Sequence, residues 1–232
     1  MSREQELRAE ICEIGRRIYD RFFVAANDGN ISAKLDDETV LVTPTGVSKG
    51  FMRPDDILKV DLDGGVLDAA PQLRPSSETP MHLAVYRARP DVAAAVHAHP
   101  PTATGFGVAG LALDVPILPE MILTVGYVPL VPYGTPAGVD LQNSVAPYLA
   151  DYDAFLLANH GALTVGEDLT RAYFKMESLE LYARVLLTAR TLGRENHLSS
   201  AEIDKLIDTR ARLGGTGKNP LADARQRSQS GD

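Results

Sequence analysis

The stretch Ala94-Ala95-Val96-His97-Ala98-His99-Pro100 sets two of the chain's five histidines two residues apart inside an apolar run. A short apolar run closed by proline reads as a buried strand, and in a strand the side chains at i and i+2 leave the same face. His97 and His99 therefore enter one space, and the fold has to leave room for both rings at the margin of its core. Such a pair is either a structural pair or half of a metal site. Neutral imidazole is a common zinc ligand, and an open catalytic site usually takes three protein ligands. The best candidate for a third is His160, in Leu156-Leu157-Ala158-Asn159-His160-Gly161-Ala162-Leu163, a second apolar strand-like run with a polar interruption.

At 232 residues the chain is long enough for one large domain, expected over 1–213, with a Gly-, Ser-, Lys- and Arg-rich tail over 214–232 expected to be disordered. The net charge of −8 and pI near 5.1 argue against nucleic-acid or anionic-membrane partners, which need a basic surface, and favour a small-molecule or protein partner. The single cysteine, Cys12, beside the apolar face of a helix, reads as a small buried hydrophobe in a reducing compartment. The charged start and the lack of a long apolar span predict a cytoplasmic soluble protein.

Along the chain, Leu7, Ile11, Ile14, Ile18 and Phe22 recur at helical steps and predict a helix over about 3–23. Residues 31–35 and 39–43 read as a hairpin, and 57–62 as a third antiparallel strand. Ser76-Ser77-Glu78-Thr79-Pro80 reads as a helix start, with a serine cap and Glu78 in the first turn, running to about Ala88. A short helix is expected over 101–108. Irregular, proline-broken edge strands are expected near 115–118 and 127–133, a helix within 136–151, and a strand over 154–157. Asp168 should cap the longest helix, which Gly193 stops, and a short helix should run from Ser199 or Ser200 to Leu206. The lack of regular βαβ alternation or of a GxGxxG turn argues against a doubly wound dinucleotide fold.

Several polar residues admit two readings. Glu78 is either an acid/base group at a pocket or a carboxylate favoured by the helix dipole. Ser76 and Ser77 either bind an anion at a helix N-terminus or simply cap it. Asn27, Asp28 and Gly29 fit a plain turn, and Tyr133 fits an interface. His82, one turn beyond Glu78, reads as a satisfied core histidine or as a support for the site. His197 reads as surface.

Asp28-Gly29-Asn30-Ile31-Ser32, Thr43-Pro44-Thr45-Gly46, Ser76-Ser77-Glu78, His97-Ala98-His99, Tyr133 in Pro-Tyr-Gly-Thr, and Asn159-His160-Gly161 occur in this order. With them the chain resembles the class II aldolase and adducin family over about residues 5–193. The resemblance implies an α/β fold of the α+β type, a three-layer α/β/α sandwich with a mostly antiparallel central sheet. It also implies a homotetramer with active sites at subunit interfaces. Position by position, it makes His97, His99 and His160 ligands of a divalent metal, Zn2+ first, with Mn2+ or Co2+ as alternatives. Glu78 becomes the acid/base, Tyr133 a catalytic group entering a neighbouring subunit's site, and Asn30, Thr45, Gly46, Ser76 and Ser77 the holders of a substrate phosphate.

The activity it implies is that of a metal-dependent lyase on a small phosphorylated sugar. The first expectation is an aldolase cleaving L-fuculose 1-phosphate, or a deoxy- or methylthio-ribulose 1-phosphate, to dihydroxyacetone phosphate and an aldehyde through an enediolate. The alternatives on the same scaffold are a sugar-phosphate 4-epimerase, a methylthioribulose-1-phosphate dehydratase and a decarboxylase. A non-catalytic adducin-like interaction module is the third class. Related epimerases have Asp where Glu78 stands, and adducin-like modules lack the histidines. The fuculose enzyme covers its site with a C-terminal tyrosine, and this chain has no tyrosine after Tyr182.

Overall fold

In the computed structural model, which describes residues 2–213, the predicted histidine strand is the axis of the molecule. Every residue of β5 (Ala94–Ala98) is buried, and β5 pairs antiparallel on both sides, with β1 (Asn30–Lys34) and with β8 (Gly161–Gly166). The hairpin of β1 and β2 (Thr39–Val42) continues outward through β3 (Leu58–Asp61) and β4 (Val66–Asp68). On the other side β8 forms a hairpin with β7 (Ala154–Leu157), and β6 (Leu130–Val131) completes the edge. The eight strands run in the order β4-β3-β2-β1-β5-β8-β7-β6, and β6–β7 is the one parallel pair.

Helices cover both faces, so the sandwich implied by the resemblance is the architecture observed. Period-two alternation sends Ile31, Ala33, Ala94, Val96 and Ala98 to one face, where they pack with α1 (Arg3–Asp20), α3 (Pro101–Val108), α4 (Pro119–Thr124) and α6 (Leu169–Thr191). Val40, Val42, Ala95, Leu163 and Val165 point to the opposite face, towards α2 (Thr79–Ala88) and α5 (Val139–Val145). α6 is the main apolar wall, burying Tyr173, Met176, Leu179, Ala183 and Leu186 as its periodicity predicts, and Asp168 caps it by accepting from Arg171 N. α7 (Ser200–Arg212) starts at the expected serine, Ser199, in a capping box with Glu202, and runs past the predicted end.

Four readings need correction. Phe22 leaves the α1 face because the helix stops at Asp20. Phe22 then takes φ 58 and is 81% exposed. Residues 115–118 form no strand, the edge strand near 127–133 shortens to β6, and α4 is a helix that the proline-rich sequence hid. The helix within 136–151 covers only Val139–Val145 before a 3-10 turn. Finally, Glu78 lies at the N-cap of α2 and not in its first turn, and its side chain makes no capping bond. Its carboxylate is thereby left for other partners. The tail expected over 214–232 lies outside the described residues.

Candidate metal centre

Three ring nitrogens converge at the end of β5. His97 is fully buried at the penultimate position of the strand and His99 lies just past its end, and their Nε2 atoms are 3.2 Å apart. His160 comes from the turn between β7 and β8 and not from a strand, as the run of residues had suggested. Asn159, at φ 56, makes the turn tight enough to bring the ring of His160 to 4.7 Å from that of His97 and 5.1 Å from that of His99, centroid to centroid. Ligating atoms of the three lie within 4.8 Å of one another.

Glycines on both sides of the centre are required by close approach. A Cβ on Gly161 would lie 2.5 Å from His99 Cδ2 and 2.6 Å from the Ala98 carbonyl oxygen. A Cβ on Gly29, itself at φ +74, would lie 2.9 Å from the His97 carbonyl oxygen. The tripeptide Asn159-His160-Gly161 therefore combines a turn former, a ring and a gap for the neighbouring ring. The sequence alone offers no sign of that last function.

Glu78 faces the histidines from the start of α2. Its Oε2 is 3.2 Å from His97 Nε2 and its Oε1 is 3.1 Å from His160 Nε2. Asn30 Nδ2 donates to Glu78 Oε2 at 2.7 Å, and Asn30 is the register partner of His97 across β1 and β5. Burial acts to raise the Glu78 pKa, but the imidazoles of His97 and His160 and the Asn30 amide outweigh it and hold the group well below the usual carboxylate range. Burial moves His97 the other way, down to about 3, against the pull of Glu78, and so keeps the ring neutral. His99 is also lowered, first by burial and then by His160, while Asp28 Oδ2, 3.6 Å from His99 Nδ1, opposes the shift.

The donor set can be tested for fit to a divalent cation. His97 Nδ1 lies 2.9 Å from the Ala162 carbonyl oxygen, which can only accept, so the proton of the neutral ring is on Nδ1. The lone pair of Nε2 then faces a carboxylate oxygen and the Nε2 of His99; with the His99 proton on Nδ1, the nitrogen that faces Asp28 Oδ2, no donor lies between them and a cation resolves the contact. The 3.2 Å between the two nitrogens is close to the roughly 3.3 Å separation of ligands about 2.0–2.1 Å from a tetrahedral metal. The Nδ1–carbonyl bond is also the outer support that fixes the ligating tautomer of a metal-binding histidine. The residues present fit a metal ion, and an all-imidazole set with a carboxylate beside it suits zinc and its first-row neighbours alike.

The remaining predicted residues fall into two groups. Thr45 N donates to the Arg74 carbonyl oxygen and Ser76 N to that of Thr43, while Pro44 and Pro75 form a bridge. This stitching brings Thr45, Gly46, Ser76 and Ser77 to one rim at the start of α2. Thr45, Gly46 and Ser77 are exposed there, and Ser76 Oγ accepts from Glu78 N at 3.3 Å. Asn30 is instead 5% exposed and committed through its amide to Glu78. Tyr133 is 60% exposed, and no hydrogen bond, ion pair or ring contact among the described residues joins it to the histidines. His197 is a surface residue paired with Glu195, as expected. Burial pushes the Cys12 thiol up to about 11, which suits a packing role.

The sequence profile of the class II aldolase and adducin N-terminal domain matches residues 9–187. The chain belongs to that family. It is 37% identical over 209 residues to a 3-oxo-tetronate 4-phosphate decarboxylase of Escherichia coli (strain K12), covering 88% of this chain and 96% of the relative. It is 34% identical over 178 residues to an L-fuculose phosphate aldolase of Methanocaldococcus jannaschii, covering 77% and 94%. Among solved structures, the putative aldolase/epimerase/decarboxylase YgbL of Escherichia coli superposes with a TM-score of 0.82 at 35% identity, over 89% of this chain and 100% of that one. Membership makes the chain one of a family of enzymes that act on small phosphorylated sugars with a divalent metal. Among the described residues no helix is long and apolar enough to cross a membrane.

Proposed function

We propose that this protein is a metal-dependent carbon–carbon lyase that produces dihydroxyacetone phosphate through its enediolate, and that its reaction is decarboxylation of a 3-oxo-tetronate 4-phosphate or a near analogue. The observation that carries the reading is the convergence of three imidazole nitrogens with the Glu78 carboxylate 3.1–3.2 Å from two of them. In such a substrate the C1–C2 bond breaks and carbon dioxide leaves. The electron pair stays on C2, delocalised onto the C3 oxygen, and C2 then takes one proton. A divalent cation held by His97, His99 and His160 would supply positive charge where the enediolate oxygens develop. Glu78, held by Asn30 and ionised at rest, takes a proton from water and passes it to C2. Thr45, Gly46, Ser76 and Ser77, gathered at the rim beside α2, bind the phosphate.

Aldol cleavage of a ketose 1-phosphate is the second reading, favoured by the identity to fuculose phosphate aldolases. It passes through the same enediolate but also needs a proton taken from the hydroxyl on the leaving side. Decarboxylation needs no such step, and among the described carboxylates Glu78 is the one that reaches two of the three rings, while Asp28 approaches only His99, at its Nδ1. Tyr133 could serve the aldol only by entering a neighbouring subunit's site, which ties that reading to the homotetramer.

The shared step gives the test. Metal-loaded protein in deuterium oxide should exchange a hydroxymethyl proton of dihydroxyacetone phosphate, and Glu78→Gln should slow exchange by roughly 10²–10⁴-fold with metal content retained. Absence of exchange in the parent protein removes both readings. A substrate pair then separates them, because only decarboxylation releases carbon dioxide and only the aldol reaction releases an aldehyde.

A further inference from the structure

Behind the Glu78–Asn30 bond lies a second layer of buried polar groups that the chemistry above does not use. Asn30 and Ser32 share one face of β1, and Glu78, His82 and Tyr86 follow one another at four-residue steps along the side of α2 that meets it. Asn30 bonds Glu78, while Ser32 Oγ is 2.6 Å from His82 Nδ1 and 2.6 Å from Tyr86 OH. His82 is 1% exposed, Ser32 1% and Tyr86 3%, so the second rung is closed to bulk solvent.

The proton order in this rung follows from the inventory of donors. With Tyr86 OH donating to Ser32 Oγ, each hydroxyl proton of the rung meets one acceptor. Ser32 then donates to His82 Nδ1. A neutral His82, which burial favours by lowering its pKa to about 4, must therefore carry its proton on Nε2. His82 Nε2 and Asn30 Oδ1 are both buried and have no protein partner. One is a donor and the other an acceptor, on side chains that flank the same rung. Left unpaired, each would lose its bond to water with none in return.

We propose that His82 is the positioning residue for Glu78: the Tyr86–Ser32 pair fixes its Nε2-protonated tautomer, and Nε2–H engages Asn30 Oδ1 through one buried water, which turns the Asn30 NH2 group onto Glu78. A carboxamide can present either end, and without a donor at Oδ1 the flipped amide would set oxygen against the carboxylate. This proposal rests on the reading of Glu78 as the proton-moving group, but its first test does not.

Nitrogen-15 NMR of the metal-loaded protein, with His82→Gln used to assign the signal, should show His82 protonated at Nε2 and bare at Nδ1. An Nδ1-protonated ring overturns the proposal whatever Glu78 does. The second test is a double-mutant cycle read by deuterium exchange into dihydroxyacetone phosphate. His82→Asn keeps an acceptor for Ser32 but removes Nε2–H, and it should lower kcat about 10- to 50-fold, with KM and metal content within about twofold. In an Asn30→Ala background the same change should cost less than about twofold, because the link it breaks is already gone. Equal losses in both backgrounds, or an unchanged kcat in the first, overturn the proposal. If His82→Asn does not fold, Tyr86→Phe replaces it in the same cycle with the same criterion. A failure of Glu78 itself would appear separately, as full exchange by Glu78→Gln with the His82 tautomer unchanged.

Discussion

The two faces of the central sheet are built to different ends. The face under α6 is closed by apolar side chains, with Met176, Leu179, Ala183 and Leu186 each fully buried against Ile31, Val96 and their neighbours. The face under α2 is as well buried but holds Asn30, Ser32, Glu78, His82 and His97 among its apolar residues. Apolar burial stabilises wherever it occurs, whereas each buried polar group costs desolvation unless it is bonded. The α6 face therefore anchors β5, and the α2 face gives up stability to hold imidazoles and a carboxylate in fixed contact. The same strand carries both assignments on alternate residues, Val96 to one side and His97 to the other.

The comparison can be broken most directly by Leu179→Ala on the α6 face. It should cost about 2–5 kcal/mol of folding stability, the range for a large-to-small core change. Metal content and turnover of the folded fraction should stay at the parent level, as judged by denaturant unfolding alongside metal analysis. A matching loss of metal at temperatures where the protein is folded would show that the two faces are not separable.

The second effect belongs to the α2 face and is read by pH. His82 titrates at about 4 in the folded chain and at its ordinary 6.5 when unfolded. Between those values the unfolded chain binds more protons, so stability falls as pH drops from about 7 towards 4 and is independent of this group above 7. The full shift corresponds to a contribution on the order of 3 kcal/mol. The slope of urea midpoints across this range should fall in His82→Gln, to the part set by His97 and His99, and stay whole in Leu179→Ala. An unchanged slope in the His82 variant would assign the acid sensitivity elsewhere.

The smallest effect sharpens the boundary between metal site and scaffold. Gly161→Ala adds one methyl against His99 and the Ala98 carbonyl, and should weaken metal affinity by about 10- to 100-fold, as displaced outer supports do. Thermal stability of the metal-free protein should fall as well, because the 2.6 Å approach to the Ala98 carbonyl oxygen is to backbone and movement of the His99 ring does not relieve it. Equilibrium dialysis with a competing chelator measures the first quantity and a metal-free melt the second.

The sequence by itself determined the histidine strand, the flanking hairpin, the long α6 wall with its Asp168 cap, and the ordered motifs that mark the family. These are local patterns: period two, period 3.6 and residues adjacent in the chain. It also pointed to the imidazole set, because His97 and His99 leave one strand face and His160 lies in a second apolar run; the turn at Asn159 that brings in the third ring came from the fold. Only the tertiary structure decided that Glu78 stands at a helix N-cap with its carboxylate turned to the rings, that Asn30 serves Glu78 through a buried bond, and that His82 keeps one nitrogen unpartnered beside them. Those facts depend on how α2 lies across β1, a contact between residues 48 to 54 positions apart. Pairings of that separation are set by the register of the sheet and the packing of a helix on it, which no local period encodes.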